Sequence, residues 1–186
     1  MKQCFLDYIN NQKIISKEIY NWLLNNQNSS NSIFLLGYFN YHGIEININK
    51  QNALKLYQKA AELENCIAQY HLSLMYEDED DVDKNYDKAF ELSKKLAKKE
   101  YSNGINLLGY CHEDGIGTDI NVQKAFELYQ KAANLGNGSA QYNLARMYEN
   151  GNGIKKDMDQ AIYWYKKSAE QGDKDAQNKL KKILGE

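Results

Sequence analysis

Proline is absent from all 186 residues, so no segment is ended or kinked by a pyrrolidine ring. Cysteine is scarce: Cys4, Cys66 and Cys111 are odd in number and follow no repeat. Such a set cannot build the paired framework of a small secreted domain, and it fits a reducing compartment where thiols behave as small hydrophobes. Nowhere do eighteen apolar residues run together, which argues against a membrane-spanning helix. The N-terminal string MKQCFLDYINNQ is broken by Asp7 and Asn10 and lacks the apolar centre of a signal peptide. Neither sign of charge is in excess, with 23 basic residues against 25 acidic ones and a net charge of −2, far from the basic surface that a phosphate backbone selects. The expectation is a soluble, cytoplasmic chain with neither nucleic acid nor membrane as a partner.

What the chain has is a period of thirty-six. Leu36, Leu72, Leu108, Leu144 and Leu180 stand one step apart, as do Ala53, Ala89, Ala125 and Ala161, and Ala61, Ala97, Ala133 and Ala169. A unit of this size is one supersecondary element that cannot bury its own apolar face and must stack on copies of itself. In the third copy, Ala125, Phe126, Leu128, Tyr129, Ala132 and Ala133 form one broad face of a helix. Asn121 is placed to cap its start, and Gly136 to close it in a left-handed conformation. The preceding segment is also helical. Its small residues Gly37, Ser73, Gly109 and Ala145 let two axes approach closely. Each unit is therefore a helical hairpin whose turn carries paired glycines, Gly115 with Gly117 and Gly151 with Gly153. A helix precedes these glycines and no Gly-Lys-Ser/Thr follows, so they are not a phosphate or dinucleotide loop, and no cofactor is expected.

The strings LGYCHEDGIGTDINVQKAFELYQKAANLG and LARMYENGNGIKKDMDQAIYWYKKSAEQGDKDA resemble the Sel-1-like repeat, a relative of the tetratricopeptide repeat, over about residues 32 to 175. The resemblance implies an all-α fold, a right-handed α-solenoid of antiparallel helical hairpins. It sets out one domain over 1–186: divergent capping helices at 1–29, repeats at 30–66, 67–102, 103–138 and 139–174, and a capping helix at 175–186. The N-terminal cap draws on Phe5, Leu6, Ile9, Ile15, Ile19, Tyr20, Leu23 and Leu24. In the C-terminal cap, Asp173 caps a helix in which Leu180, Ile183 and Leu184 pack back while Lys179, Lys181 and Lys182 stay in water. Copies one and two depart from the pattern. The loop GIEINI has one glycine, and the second copy loses both turn glycines, has Ser93 in place of tyrosine and Glu100 in place of the last glycine. These losses leave the turn geometry of both copies open.

Little in the chain points to catalysis. His42, His71 and His112 fall at three different offsets, so the period does not bring them together, and no HxxxH or CxxC pair provides a metal site. Cys111 and His112 are adjacent, but neighbouring helical residues point about 100° apart. Glu113 and Asp114 also oppose an activated thiolate, so packing is the expected role of both. The acidic run Glu77 to Asp83 fails as a calcium loop because Tyr86 stands where glycine is needed and Leu92 where a glutamate is needed. It is expected to be a solvated loop or a patch for a basic partner.

The resemblance to tetratricopeptide-type hairpins places the first helices on a concave face. The positions two before, two after and five after each ladder leucine then point into the groove. They are Phe34, Tyr38 and Tyr41; Tyr70, Leu74 and Glu77; Asn106, Tyr110 and Glu113; and Tyr142, Arg146 and Glu149. Tyrosine and arginine are favoured at interfaces, and Glu77, Glu113 and Glu149 add one carboxylate per unit. The expectation is a non-catalytic module that binds a protein carrying basic and apolar surface together, with self-association through the solenoid ends open. The family resemblance implies adaptor or regulatory roles and, since some small bacterial members look like immunity proteins, an inhibitor or immunity protein against a cognate toxin as the specific expectation. A β-lactam hydrolase is the rival, but the serine nucleophile motif Ser-x-x-Lys is missing.

Overall fold

A computed structural model describes residues 15–78 and 84–185. Among these the protein is all-helical: α1 (15–25), α2 (Ser30–His42), α3 (Lys50–Glu62), α4 (Cys66–Glu77), α5 (Tyr86–Lys98), α6 (Ser102–Asp114), α7 (Val122–Asn134), α8 (Gly138–Asn150), α9 (Met158–Glu170) and α10 (Lys174–Leu184). None of these helices is long and apolar enough to cross a membrane. The chain divides into two compact units, residues 1–84 and residues 85–186. Phe5, Leu6 and Ile9 of the expected cap, Cys4, and the loop 79–83 lie outside the described residues.

The abundant asparagines start the helices. Asn49, Asn65, Asn85, Asn121 and Asn137, with Asp157 and Asp173, each accept a hydrogen bond from the backbone N–H three residues on, satisfying a donor that the helix itself leaves unpaired. Tyr101, ahead of α6, has no such bond. The side chains of Gln69, Gln141 and Gln177 reach back eight residues to the carbonyls of Ala61, Ala133 and Ala169. They tie the end of each second helix to the next first helix, and Ile105 replaces them in the remaining copy.

In unit 1, α2 packs on α3 and α3 on α4. The pairing is close because position 37 is glycine. A Cβ there would lie 2.8 Å from the ring of Tyr57. Tyr57 is fully buried with Ile33, Ala53 and Met75. From α1, Leu23 is buried and Tyr20 stacks on Phe39 at 5.9 Å, while Ile15, Ile19 and Leu24 face outward with Trp22. The first turn keeps the geometry that its missing glycine left open. Gly43 is left-handed at φ 67, and Glu45, in the place of Gly117 and Gly153, is left-handed too at φ 63. The Ser16 hydroxyl donates to the Glu45 carboxylate, a contact that helps hold a conformation side chains normally avoid.

In unit 2, α6 pairs with α7 and α8 with α9, α5 backs α6, α7 backs α8, and α9 backs α10. One core gathers Ile105, Phe126, Tyr129, Leu144 and Met147, and a second gathers Ala145, Ala161, Tyr165 and Ala176 with Leu180 and Ile183 against it. Gly117 is needed for a close approach as well as for its φ of 65, since a Cβ there would lie 2.3 Å from the Tyr86 carbonyl oxygen. The leucine ladder slips in the third copy, where Leu107 is buried and Leu108 only half-buried. Cys111 is buried beside the Ser93 hydroxyl, and Cys66 is half-buried. His112 sits edge-on to Phe90 at 5.6 Å, and burial lowers its pKa.

Candidate partner-binding faces

The buried tyrosine of each complete second helix organises a clamp in unit 2. The Tyr129 hydroxyl donates to Glu113 Oε2 at 2.8 Å, and Arg146 Nη2 of the next first helix donates to both Glu113 oxygens at 2.7 Å. One step on, the Tyr165 hydroxyl donates to Glu149 Oε2 at 2.6 Å while Lys179 Nζ donates to both Glu149 oxygens at 3.1 and 3.0 Å. Charge-assisted bonds of this kind are among the stronger ones available to side chains. Burial raises the phenol pKa of Tyr129 and of Tyr165, and the adjacent carboxylates push the same way. For Glu149, burial pulls the pKa up, but the bonds from Tyr165 and Lys179 and the nearby ammonium charges outweigh it, and the carboxyl titrates below its ordinary range.

Two expectations change here. Glu113 and Glu149, read as carboxylates offered to a partner, are engaged within the chain, because the repeat places a phenol beneath each and a cation beside it. Lys179, read as solvated, is that cation for Glu149, since its helix docks as a further first helix. Around the clamps, Asn106 accepts from Asn143 Nδ2 at 3.2 Å, Tyr142 lies 5.6 Å from Tyr165, and Tyr110 is 37% exposed. Asn106, Tyr142 and Arg146 are half-exposed on α6 and α8, which touch each other.

Unit 1 has a face of rings. Phe34 is 8% exposed and stacks on Tyr57 at 5.5 Å, so it belongs to the hairpin core rather than to an open surface. Tyr38, Tyr41, Tyr70, Leu74 and Glu77 are half-buried. His71, absent from the sequence-based site, lies 5.4 Å from Phe34, 5.6 Å from Tyr57, 5.7 Å from Tyr70 and 6.1 Å from Tyr38. His42 packs against the same Tyr38, tilted, with ring centres 4.1 Å apart. The two histidines, separated by the period, thus meet on one ring because residues at different offsets of α2 and α4 reach a common side chain. Burial lowers the pKa of His71, and the charge on His42 adds to that. Among the described residues no three His, Cys, Asp or Glu side chains group as a metal would need.

The hairpins, the turn geometry and the clamps recur at the spacing of a known repeat. The Sel1 repeat is matched four times, at residues 30–65, 66–101, 102–137 and 138–173. The chain belongs to the Sel1 repeat family. It is similar in structure to the Sel1 repeat protein from Oxalobacter formigenes, with 28% identity over 94% of this chain and 74% of that one and a TM-score of 0.81. It is also similar to c5321, a protective antigen of uropathogenic Escherichia coli with the same repeat fold, at 35% identity over 88% of this chain and a TM-score of 0.77. This chain covers 36% of that antigen's length. A third similar structure is cysteine rich protein B of Helicobacter pylori, at 26% identity over 72% of this chain and 96% of that one, with a TM-score of 0.54. No curated protein matches the chain. As a Sel1 repeat protein, it has a fold that generally serves protein–protein interaction and is typically non-catalytic.

Proposed function

We propose that this Sel1 repeat protein is a binding module without chemistry of its own that holds a protein partner on its first helices. The observation that carries the proposal is the half-exposed set on α6 and α8: Tyr110 and Tyr142 beside Arg146, whose guanidinium is fixed by Glu113. Large rings and a pre-positioned arginine offer contact area at small entropy cost. In unit 1, Tyr38, Tyr41, Tyr70 and Leu74 extend the same chemistry, with Glu77 at the end of α4. With Glu113 and Glu149 engaged internally, the preference for a partner that is both apolar and basic rests on the tyrosine faces, which accept both kinds of group. A cytoplasmic setting accords with the cysteine usage.

The test is affinity capture of a partner, its reconstitution from purified protein, and calorimetry with Tyr110→Ala and Tyr142→Ala. Each variant is expected to weaken binding by about 2 kcal/mol if its ring is a hot spot. Full-strength binding by both, with unchanged melting curves, would remove these residues from the interface. The inhibitor form of the role, the immunity protein included, predicts that the partner's activity falls at a one-to-one ratio. The adaptor form predicts a second protein bound at the same time.

A further inference from the structure

In unit 2 the clamp of the last repeat is made of Glu149, Tyr165 and Lys179. Three periods earlier the same three places are held by Tyr41, Tyr57 and His71. The carboxylate has become a phenol and the ammonium an imidazole, and only the buried tyrosine is kept. Tyr41 and Tyr57 lie 6.5 Å apart, and Tyr57 and His71 lie 5.6 Å apart, so the geometry of the triad survives the loss of its charges. Phe34 and Tyr57 form the floor, while Tyr38, Tyr41, Tyr70 and His71 stay half-exposed above it. Where unit 2 seats a lysine, unit 1 has the His71 ring, and the half-exposed rings of Tyr38 and Tyr70 lie beside it.

The negative faces of aromatic rings attract a cation within about 6 Å of the centroid. The Lys50 ammonium already lies 5.9 Å from the Tyr41 centroid, which shows that this edge of the cluster accepts a positive group. With a lowered pKa, His71 is neutral at pH 7 and places no charge in competition. The helix that carries Tyr70 and His71 ends on the carboxylates Glu77 and Asp78.

We propose that the ring cluster of unit 1, with Tyr38, Tyr70 and His71 at its rim, is a seat for an arginine side chain of the protein partner. With the place of Lys179 held by His71 in unit 1, the guanidinium lies at the rim against the rings of Tyr38 and Tyr70, whose faces suit its planar, weakly hydrated head. This inference rests on the protein-binding reading above and specifies what the partner must present.

The test uses two fluorescein-labelled hexapeptides, one alternating arginine with leucine and one with citrulline in place of every arginine. Their binding to the full chain is followed by anisotropy at physiological salt. The arginine peptide is expected to bind at least about tenfold tighter, and Tyr38→Leu and Tyr70→Leu are each expected to weaken it about threefold. Neither change alters the charge of the protein, so attraction to its acidic groups in general would leave the affinity where it was. Equal binding of the two peptides, or arginine binding indifferent to both changes, would overturn the proposal. Ring-proton spectra of the unaltered protein guard against misfolded variants. N-acetylarginine amide should shift the Tyr38, Tyr70 and His71 signals, and shifts elsewhere alone would count against the site. A captured partner lost on Tyr110→Ala and Tyr142→Ala but unaffected by Tyr38→Leu and Tyr70→Leu would sink this inference while leaving the protein-binding role standing.

Discussion

Gly104 exists because of Leu96. The position of Gly104 is alanine at Ala68, Ala140 and Ala176 and serine at Ser32, and the position of Leu96 is small at Ala60, Ala132 and Ser168. A Cβ on residue 104 would lie 2.1 Å from the Leu96 Cβ and 3.1 and 3.2 Å from the Leu96 backbone, so the glycine lets α6 come closer to α5 than any Cβ would allow. Leu96 is fully buried, and so is Ile105.

The close approach predicts two separate losses. Gly104→Ala alone should destabilise the protein by about 2 kcal/mol through overpacking, despite a better helix propensity. Leu96→Ala alone should lose about 3 kcal/mol to a cavity. Alanine at 96 keeps the Cβ that alanine at 104 meets, so the double variant should lose about the sum of the two, to within about 0.5 kcal/mol. Chemical denaturation of all four proteins measures this, and a double variant more stable than the sum by about 1 kcal/mol or more would mean that the outer atoms of the leucine exclude the alanine.

A second prediction concerns backbone conformation. Glu64 and Glu100 hold left-handed φ values of 62 and 58, where Gly136 and Gly172 stand in later copies. Glu100→Gly gives up an exposed pair with Lys131, 3.3 Å apart, which is worth little. Relief of the left-handed penalty exceeds the entropy cost of glycine, and a gain of about 0.5 kcal/mol is expected. The converse change, Gly136→Ala, should cost about 1 kcal/mol, although nothing lies within 4 Å of the added Cβ. Thermal melts of the two variants should therefore move in opposite directions.

The contrast between these features explains what was legible in the sequence. Leu36, Ala53 and their repeats revealed the hairpin because burial constrains residue size at a fixed period. The caps Asn121 and Asp173 were equally plain, since a cap is a local contact. The approach of Gly104 to Leu96 was not, because a glycine inside a helix shows its reason only once it is known what lies against it. For the same reason Glu113 was read as facing a partner. Its spacing reveals which helix face it occupies, but its neighbour Arg146 lies on another helix, thirty-three residues away. Lys179 looked like any other lysine of the last helix, and His71 was separated from His42 by the period that was being followed.

The Glu113 clamp yields a third prediction. The Glu113 side chain is 12% exposed and that of Arg146 39%, so the pair is shielded on one side only. Arg146→Met should cost about 1 to 2 kcal/mol, because it takes the guanidinium from a largely buried carboxylate that keeps the Tyr129 hydroxyl. Tyr129→Phe should cost about 1 kcal/mol, and a double-mutant cycle should show coupling between the two. Additive behaviour would mean that Glu113 binds each partner independently.

Stability should also depend on pH, through three groups with the same sign: His71, His112, whose pKa is likewise lowered by burial, and Glu149. The His71 pKa is lowered in the fold by burial and by His42, so between its ordinary 6.5 and its folded value the unfolded chain binds a proton that the folded chain refuses. That part of the stability is complete above pH 6.5 and declines as the pH falls. Glu149 is likewise lowered, its bonds to Tyr165 and Lys179 outweighing burial, and its contribution is present above the ordinary carboxylate range near 4.5 and lost below it. The melting temperature should therefore fall in two stages on acidification, first below pH 6.5 and again below about 4.5. His71→Phe keeps a ring in the cluster and removes its titration, so it should reduce the first stage to the share of His112 and spare the second. Glu149→Gln should do the reverse. If His71→Phe leaves the first stage unchanged, the fall between pH 6.5 and 4.5 belongs to a group other than the one enclosed by Phe34, Tyr38, Tyr57 and Tyr70.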